Sequence, residues 1–342
     1  MTAPLFKIRE NSKFGFINAE GKVVIEPQYL EAEDFYNNFS RIRLNDKLVP
    51  MDRIGRLLMK HFFNFVGLFE EKLARVQLVT RWGFIDEKGN ITIPIQYEDA
   101  NDFSEGLAAV RMTRMFGYID QSDNWVIQPS YDDAGEFKNG LAPVEEDWKW
   151  GYINKEGKEV ITPFFDKCLP FQKEVGVVLK DNKWGLISTK GQVVKEPAFD
   201  WLNGVSNGEF FEGKAIIKVK DRFGFINTKG ELITEGFFES VGDFSEGYAL
   251  ISNNGKYGYI NAEGRVSIPL KYENAGLFSD GLAQVMINNR WGYIDVKGDL
   301  IIKPKYLEAW PFQNGLGLVM LESGALAYIN SNGTYIWKEK II

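Results

Sequence analysis

The chain holds one cysteine and one histidine in 342 residues, and each scarcity closes off a kind of chemistry. Cys168 has no partner for an internal disulfide, which fits a reducing compartment. Cys168 and His61 together are too few for a Cys/His zinc cluster or a histidine-rich site. No apolar run at the start is long enough for a signal peptide, and none later could span a bilayer. The expectation is a cytoplasmic chain with no transmembrane segment, although removal of a leader would leave the same picture. A basic excess is missing too. Lys and Arg number 40 against 47 Asp and Glu, a net charge of −7 with the signs interleaved, which argues against nucleic acid as a partner.

What the chain has in quantity is repetition. Aromatic-Gly pairs fall at Phe14-Gly15, Trp82-Gly83, Phe116-Gly117, Trp150-Gly151, Trp184-Gly185, Phe223-Gly224, Tyr257-Gly258 and Trp291-Gly292. Worn copies sit at Leu48-Val49 and Leu326-Ala327. Successive copies are 34 residues apart, save one step of 39 and a last one of 35, which makes ten units. A tetratricopeptide unit has the same length, but two fixed glycines and frequent prolines would break two helices per unit.

The columns inside the unit say what it is. Three residues after the glycine stands Asn or Asp in nine copies, and three residues later Gly in nine, as in Asp86 and Gly89. That spacing builds a short hairpin loop with a left-handed residue; Asp123-Asn124 replaces the glycine in the odd copy. After it, "NITIPIQY" alternates apolar and polar residues as a strand with one buried face does. A ten-residue connection follows, with a small residue such as Ala100 and a Phe such as Phe103 three apart, where a short 3₁₀ or α turn is expected. "GLAAV" is the next strand, joined by a tight polar turn to the aromatic-Gly strand.

These elements give an all-β tandem array of about ten three-stranded antiparallel meanders spanning residues 5–342. The units fall near 5–38, 39–72, 73–106, 107–140, 141–174, 175–213, 214–247, 248–281, 282–315 and 316–342. One unit buries too few apolar side chains to offset the entropy of ordering its chain, so neighbours must stack. The ring of the aromatic-Gly pair, seated over a bare backbone patch, is the expected joint. An open superhelix is the first expectation and a closed propeller-like ring the second, since propellers have four to eight four-stranded blades.

The phrase "[KR]WGFID..G...I.P.Y..A..F..GLA.V" resembles the bacterial WG-repeat family along essentially the whole chain. The departures are largest in the second unit, where Val49 replaces the glycine, and in the last, "GALAYINSNGTYI". The resemblance implies β-rich repeats used as interaction modules, and it brings no catalytic residues.

Read for chemistry, the columns favour structure. His61 has no second histidine or cysteine beside it, and Cys168 occupies the small-residue column as a buried hydrophobe would. The recurring Asp and Asn are turn formers, one per unit, and not a calcium ladder. Paired carboxylates for a hydrolase, as in Asp132-Asp133 and Glu145-Glu146-Asp147, lie in no insertion that could build a pocket. The Lys or Arg preceding eight of the pairs is expected to cap a turn and lie over a neighbouring ring, the alternative being a basic row for an acidic partner. No enzyme, cofactor or metal site is expected.

Aromatics outside the repeat columns are the candidate binding residues: Trp125, Trp148, Trp201 and, in the one insertion, Phe210 and Phe211, with Trp310 and Trp337 also off-column. The expected function is a non-catalytic, protein-binding scaffold or adaptor, of which an immunity-like role is one form. The alternative is a carbohydrate- or peptidoglycan-binding module, and the third reading a carboxylate-based hydrolase.

Overall fold

The computed structural model describes residues 3–44, 47–58, 63–200 and 210–340. Among these residues the strands form ten small antiparallel sheets, and no helix is present. Seven sheets have four strands side by side in chain order. In one, Asp99–Ala100, Leu107–Met112, Met115–Asp120 and Trp125–Tyr131 follow one another across the sheet. The last three are the meander read from the repeat, and the first adds a short fourth strand.

That short strand replaces the expected helical turn. The N–H groups of Glu98 and Asn101 donate to the carbonyls of Arg111 and Ala109, at 2.8 and 2.9 Å. An extended chain therefore satisfies its backbone groups in the sheet, while Ala100 and Phe103 still reach the core.

Both tight turns are built from left-handed residues. In the first, Thr113 and Arg114 have φ of 52° and 72°, the geometry of a two-residue hairpin that follows the sheet's twist. In the second, Asp120 Oδ1 accepts the N–H groups of Ser122 and Asn124, both at 2.9 Å. The fourth place of that turn is left-handed in every copy, from Gly21 at 81° to Gly333 at 79°, and Asp123 takes it at 66°.

The glycine of the aromatic-Gly pair answers to its own sheet. Phe116 pairs with Tyr131 and Tyr118 with Ile127, so a bulge of the third strand lies across Gly117. A Cβ there would stand 2.5 Å from the Ile127 carbonyl oxygen and 2.7 Å from the Pro129 nitrogen. In the last sheet Ala327 pairs directly with Lys338, without that bulge, and the side chain fits. The bare backbone therefore faces the third strand of the same meander, not a ring of the next copy as expected.

The joint between sheets is made by the residue after that glycine. Phe84–Phe103, Tyr118–Phe137, Tyr152–Phe171, Phe225–Phe244, Tyr259–Phe278 and Tyr293–Phe312 join successive sheets with ring centroids 4.7–5.0 Å apart. The hydroxyls of Tyr118, Tyr152, Tyr259 and Tyr293 donate to a main-chain carbonyl 17 residues ahead, at 2.7–2.8 Å. The rings of the aromatic-Gly pairs join the same clusters to different depths: Phe116 and Trp291 are buried in them, and Trp82 and Trp150 are half-buried against them. Each core cluster spans two neighbouring sheets, as stacking of dependent repeats requires.

A second ladder runs along the turns after the Phe column. Carboxylates of Glu71, Glu105, Glu246 and Asp280 accept the N–H of a glycine 35 residues ahead, at 2.7–3.0 Å. Beside them the hydroxyls of Ser104, Ser245 and Ser279 donate to the carbonyls of Phe137, Phe278 and Phe312.

The chain divides into two compact units, Gln28–Ala198 and the paired segments Met1–Pro27 and Phe199–Ile342. Within the latter the chain's first sheet packs on its last. Phe6 meets the ring of Tyr328 at 5.5 Å, and Arg9 Nε donates to Glu339 Oε1 at 2.8 Å.

Candidate functional site

Strand Leu141–Glu146 turns into strand Lys149–Asn154 through Asp147 and Trp148, both left-handed, with φ of 52° and 64°. The Asp147 N–H is held by the Asp132 carboxylate at 3.0 Å. Other copies place Ser12, Arg114, Asn182, Gly255 and Asn289 where Trp148 stands. An L-residue in that region crowds its Cβ against the following carbonyl, a cost Asn and Gly largely escape. The indole recovers little by packing, because Trp148 is 86% exposed. It is therefore a side chain that the fold does not use.

The strands that carry the turn are rich in carboxylates. Asp133 pairs across the sheet with Glu145, whose carboxyl is pushed up by burial and by the charges of Asp133 and Asp132. On the far side of the sheet's end, the Lys149 ammonium and then the Asp181 N–H hold Asp166 below the usual carboxylate range. Lys149 Nζ lies 2.7 Å from Asp166 Oδ1.

The other candidate residues have structural employment or lie outside the described chain. Trp125 fills the joint between two sheets, edge-on to Tyr97 at 5.9 Å. Phe211 and Lys214 exchange backbone hydrogen bonds as Ser104 and Leu107 do, which puts Phe210 in the recurring Phe column and not in an exposed loop. Phe211 packs against the cluster around Phe225 and Phe244. The insertion's remaining residues, Trp201 among them, and His61 lie outside the described residues. The main-chain carbonyl of Trp310 accepts the Tyr293 hydroxyl while its indole stays 38% exposed, and Trp337 packs near Tyr328 between the last sheet and the first. Cys168 is buried in the joint below Tyr152, where burial pushes its thiol up, so it is no ready nucleophile.

Three of the cations before the aromatic-Gly pairs are held by carboxylates: Arg81 pairs with Glu98 at 3.7 Å, Lys149 with Asp166, and Arg290 with Glu322 at 2.6 Å. Rings are instead covered from the adjacent strand, by Arg75 over Trp82 and Arg111 over Phe116, each 5.5 Å from the centroid. Cross-strand register brings those guanidinium groups over the ring faces, while the cation before the pair sits in the turn among carboxylates.

A groove lies one joint further on. It is bounded by strand Glu159–Phe165 of one sheet and by strands Val175–Lys180 and Val193–Phe199 of the next, and encloses about 600 Å³. Phe164 at its mouth is 57% exposed. Nothing in the sequence reading singled out Phe164; the available signal was a Phe in a column that elsewhere holds Gln96, Ser130, Lys271 or Lys305.

The repeat pattern and its sheets agree with comparison to known proteins. The family described as WG containing repeat matches residues 14–47, 82–113, 116–149, 150–184, 184–222, 223–257, 257–291 and 291–323. The chain belongs to that family. The unmatched stretch 48–81 begins in the sheet where Val49 replaces the pair's glycine and only two strands are described. No curated protein sequence matches this WG-repeat chain. A crystal structure of the eukaryotic initiation factor superposes on it with a TM-score of 0.52 at 13% identity, covering 99% of this chain and 96% of that one. At that identity the likeness is one of fold alone. BamB from Moraxella catarrhalis is a looser match, with a TM-score of 0.38 at 10% identity over 88% of this chain and 98% of its own.

Proposed function

We propose that this WG-repeat chain is a non-catalytic scaffold that binds another protein, with Trp148 as an anchor of the contact. One observation carries the reading: a tryptophan is held in a left-handed turn, at a conformational cost, with 86% of its surface in water. Strain of this kind gathers at functional positions, and exposed tryptophan is prominent among residues that dominate protein interfaces. The joints support the same reading, since they place one such turn per sheet on a rigid frame. The recurring carboxylates are occupied in turn caps and ladders, which supports binding over catalysis.

The test replaces Trp148 by Asn, the residue that the same turn carries at Asn182 and Asn289. A photo-crosslinking residue at position 146 of the otherwise unaltered chain is expected to yield one discrete protein adduct in the source cells, and Trp148→Asn to abolish it. An adduct of undiminished yield in the Trp148→Asn chain would remove this anchor. Quenching of the Trp148 fluorescence by cell-wall fragments, with no protein adduct, would favour a glycan instead.

A further inference from the structure

The groove between the sheets of residues 133–165 and 167–199 departs from the repeat in two ways that converge on one place. The first is Phe164, a ring in water where most copies carry a polar side chain. Phe237 is the described exception, and it lies over Gly224 of its own sheet.

The second is Lys180. At this register stand Glu10, Leu78, Met112, Glu146, Val219, Asn253 and Ile287 in other sheets, each directly opposite the residue that precedes the aromatic-Gly pair. Here alone among the described pairs two lysines face one another, Lys180 and Lys183. Like charges directly opposed across a sheet are unfavourable, and other copies set Glu, Asn or an apolar residue there. The Lys180 ammonium is turned to the groove's mouth, 3.9 Å over the Phe164 ring and 3.0 Å from the Phe164 carbonyl.

The space between these sheets is open because this column holds Val193, as it holds Val23, Ile91 and Val266 in other copies, whereas Trp125 plugs the equivalent space two joints earlier against Tyr97. The groove's exposed apolar surface is Phe164 and Val193, above the buried Ile161, Val178 and Ile187, with Lys180, Lys183 and Lys195 lining it against Asp181 and Glu196. A local excess of positive charge is the reverse of the chain's net −7. A volume near 600 Å³ is in the range of clefts that take a drug-sized ligand or a bulky side chain with its neighbours. Strand Glu159–Phe165, which forms one wall, is the last in its sheet, so an extended segment can run along its outer edge.

We infer that this groove takes an acidic segment of a partner protein, with an aromatic or long aliphatic residue seated against Phe164 and Val193 and a flanking carboxylate at Lys180. This rests on the protein-binding reading above and names the chemistry of the partner. The carboxylate meets the Lys180 ammonium at the groove's mouth, and the seated side chain covers Phe164.

The test uses the full chain and short fluorescein-labelled peptides read by anisotropy. One peptide carries Asp and Glu around a central Phe; a second replaces that Phe with Ala, and a third replaces the acids with Lys. The acidic Phe peptide is expected to bind saturably and at least about tenfold more tightly than either relative, with an affinity that falls as salt rises. Lys180→Glu and Phe164→Ser are each expected to weaken it about tenfold. Val193→Trp, which supplies the plug that Trp125 provides elsewhere, is expected to abolish binding while leaving the thermal midpoint unchanged or higher. Equal binding of the three peptides, or undiminished binding by Val193→Trp, overturns the assignment. So does saturable binding of dodecanoate with no peptide binding, which would make the groove a site for a small amphiphile. If Trp148→Asn abolishes the protein adduct and Val193→Trp leaves it intact, the scaffold reading stands and the groove's role falls.

Discussion

The hydroxyl of Tyr328 donates to the main-chain carbonyl of Lys7 at 2.9 Å, and so fastens the chain's last sheet to its first. The first sheet has no short fourth strand and no Phe from the recurring column, so Phe6 supplies the ring that Phe137 or Phe312 supplies elsewhere. Beside it, Glu339 is held below the usual carboxylate range: burial opposes ionisation, and the Arg9 guanidinium with the Leu326 N–H outweighs it. Its side chain is only 9% exposed.

Removing either half of this contact is expected to loosen the last sheet as well as the first. Phe6→Ala should cost about 3 kcal/mol, as loss of a buried aromatic side chain does. Arg9→Ala should cost about 1–3 kcal/mol, because it leaves a largely buried carboxylate without its partner. Urea unfolding, read together with amide exchange at Tyr328 and Ile329, checks both. Unchanged exchange at those amides in Phe6→Ala would show that the joint is not supporting the last sheet.

Two glycines, eleven residues apart in sequence, make opposite predictions about mechanism. Gly117→Ala would press a Cβ into the Ile127 carbonyl and the Pro129 nitrogen, so the bulge must give way; a loss of about 3 kcal/mol or more is expected. Gly106 also has a left-handed backbone, with φ of 87°, but open space around it. There Ala should cost only the conformational penalty, about 1–2 kcal/mol. Equal losses in the two variants, measured by denaturant midpoints, would mean that close approach of the third strand is not what requires the glycine.

That difference also marks how far the sequence could be read. Hairpin turns were legible because left-handed residues and their caps lie within a few positions of one another, as Asp120 to Asn124 do. The bulge over Gly117 depends on register against a strand ten residues on, which no local pattern states. Strand pairing, not local propensity, set the conformation of Asp99–Ala100, so a helical turn was the wrong expectation there. Phe210 was misplaced because the insertion hid its column. The turn ladder was visible as repeated Phe-Ser-Glu-Gly, at Phe103 to Gly106 and Phe244 to Gly247, but its partners lie a whole unit away. Trp148 stood out by residue type; Phe164, Lys180 and Val193 gain meaning only when two sheets bring them together.

The turn ladder gives a pH dependence. Burial works against ionisation of Glu105, and the Gly140 N–H, the Lys155 ammonium and the Asn139 N–H together outweigh it, so the carboxyl is held below its ordinary 4.5. A carboxyl depressed on folding stabilises the folded chain above about 4.5 and loses that contribution as pH falls through the folded value. Glu105→Gln should therefore lower stability at pH 7 by about 1 kcal/mol or less, and flatten the acid limb below about pH 4.5. Urea midpoints of the two chains should converge as pH is lowered. A constant gap down to the lowest pH would assign the effect to shape and not to charge.

Trp148 supplies the prediction that separates function from fold most directly. A side chain kept for stability should cost stability when removed; this one occupies a backbone region that tryptophan tolerates poorly and touches little that could compensate. Asn tolerates the same φ better, so Trp148→Asn is expected to leave the fold unchanged or raise its stability by about 0.5–1 kcal/mol. Trp148→Ala is the control: it removes the same indole but keeps the strained backbone, and should gain nothing. If both variants melt lower than the parent chain, the indole packs against its own sheet and the case for an exposed anchor is lost. If Asn alone raises the melting temperature while partner binding disappears, the turn has kept a residue against its own stability for the sake of something outside the chain.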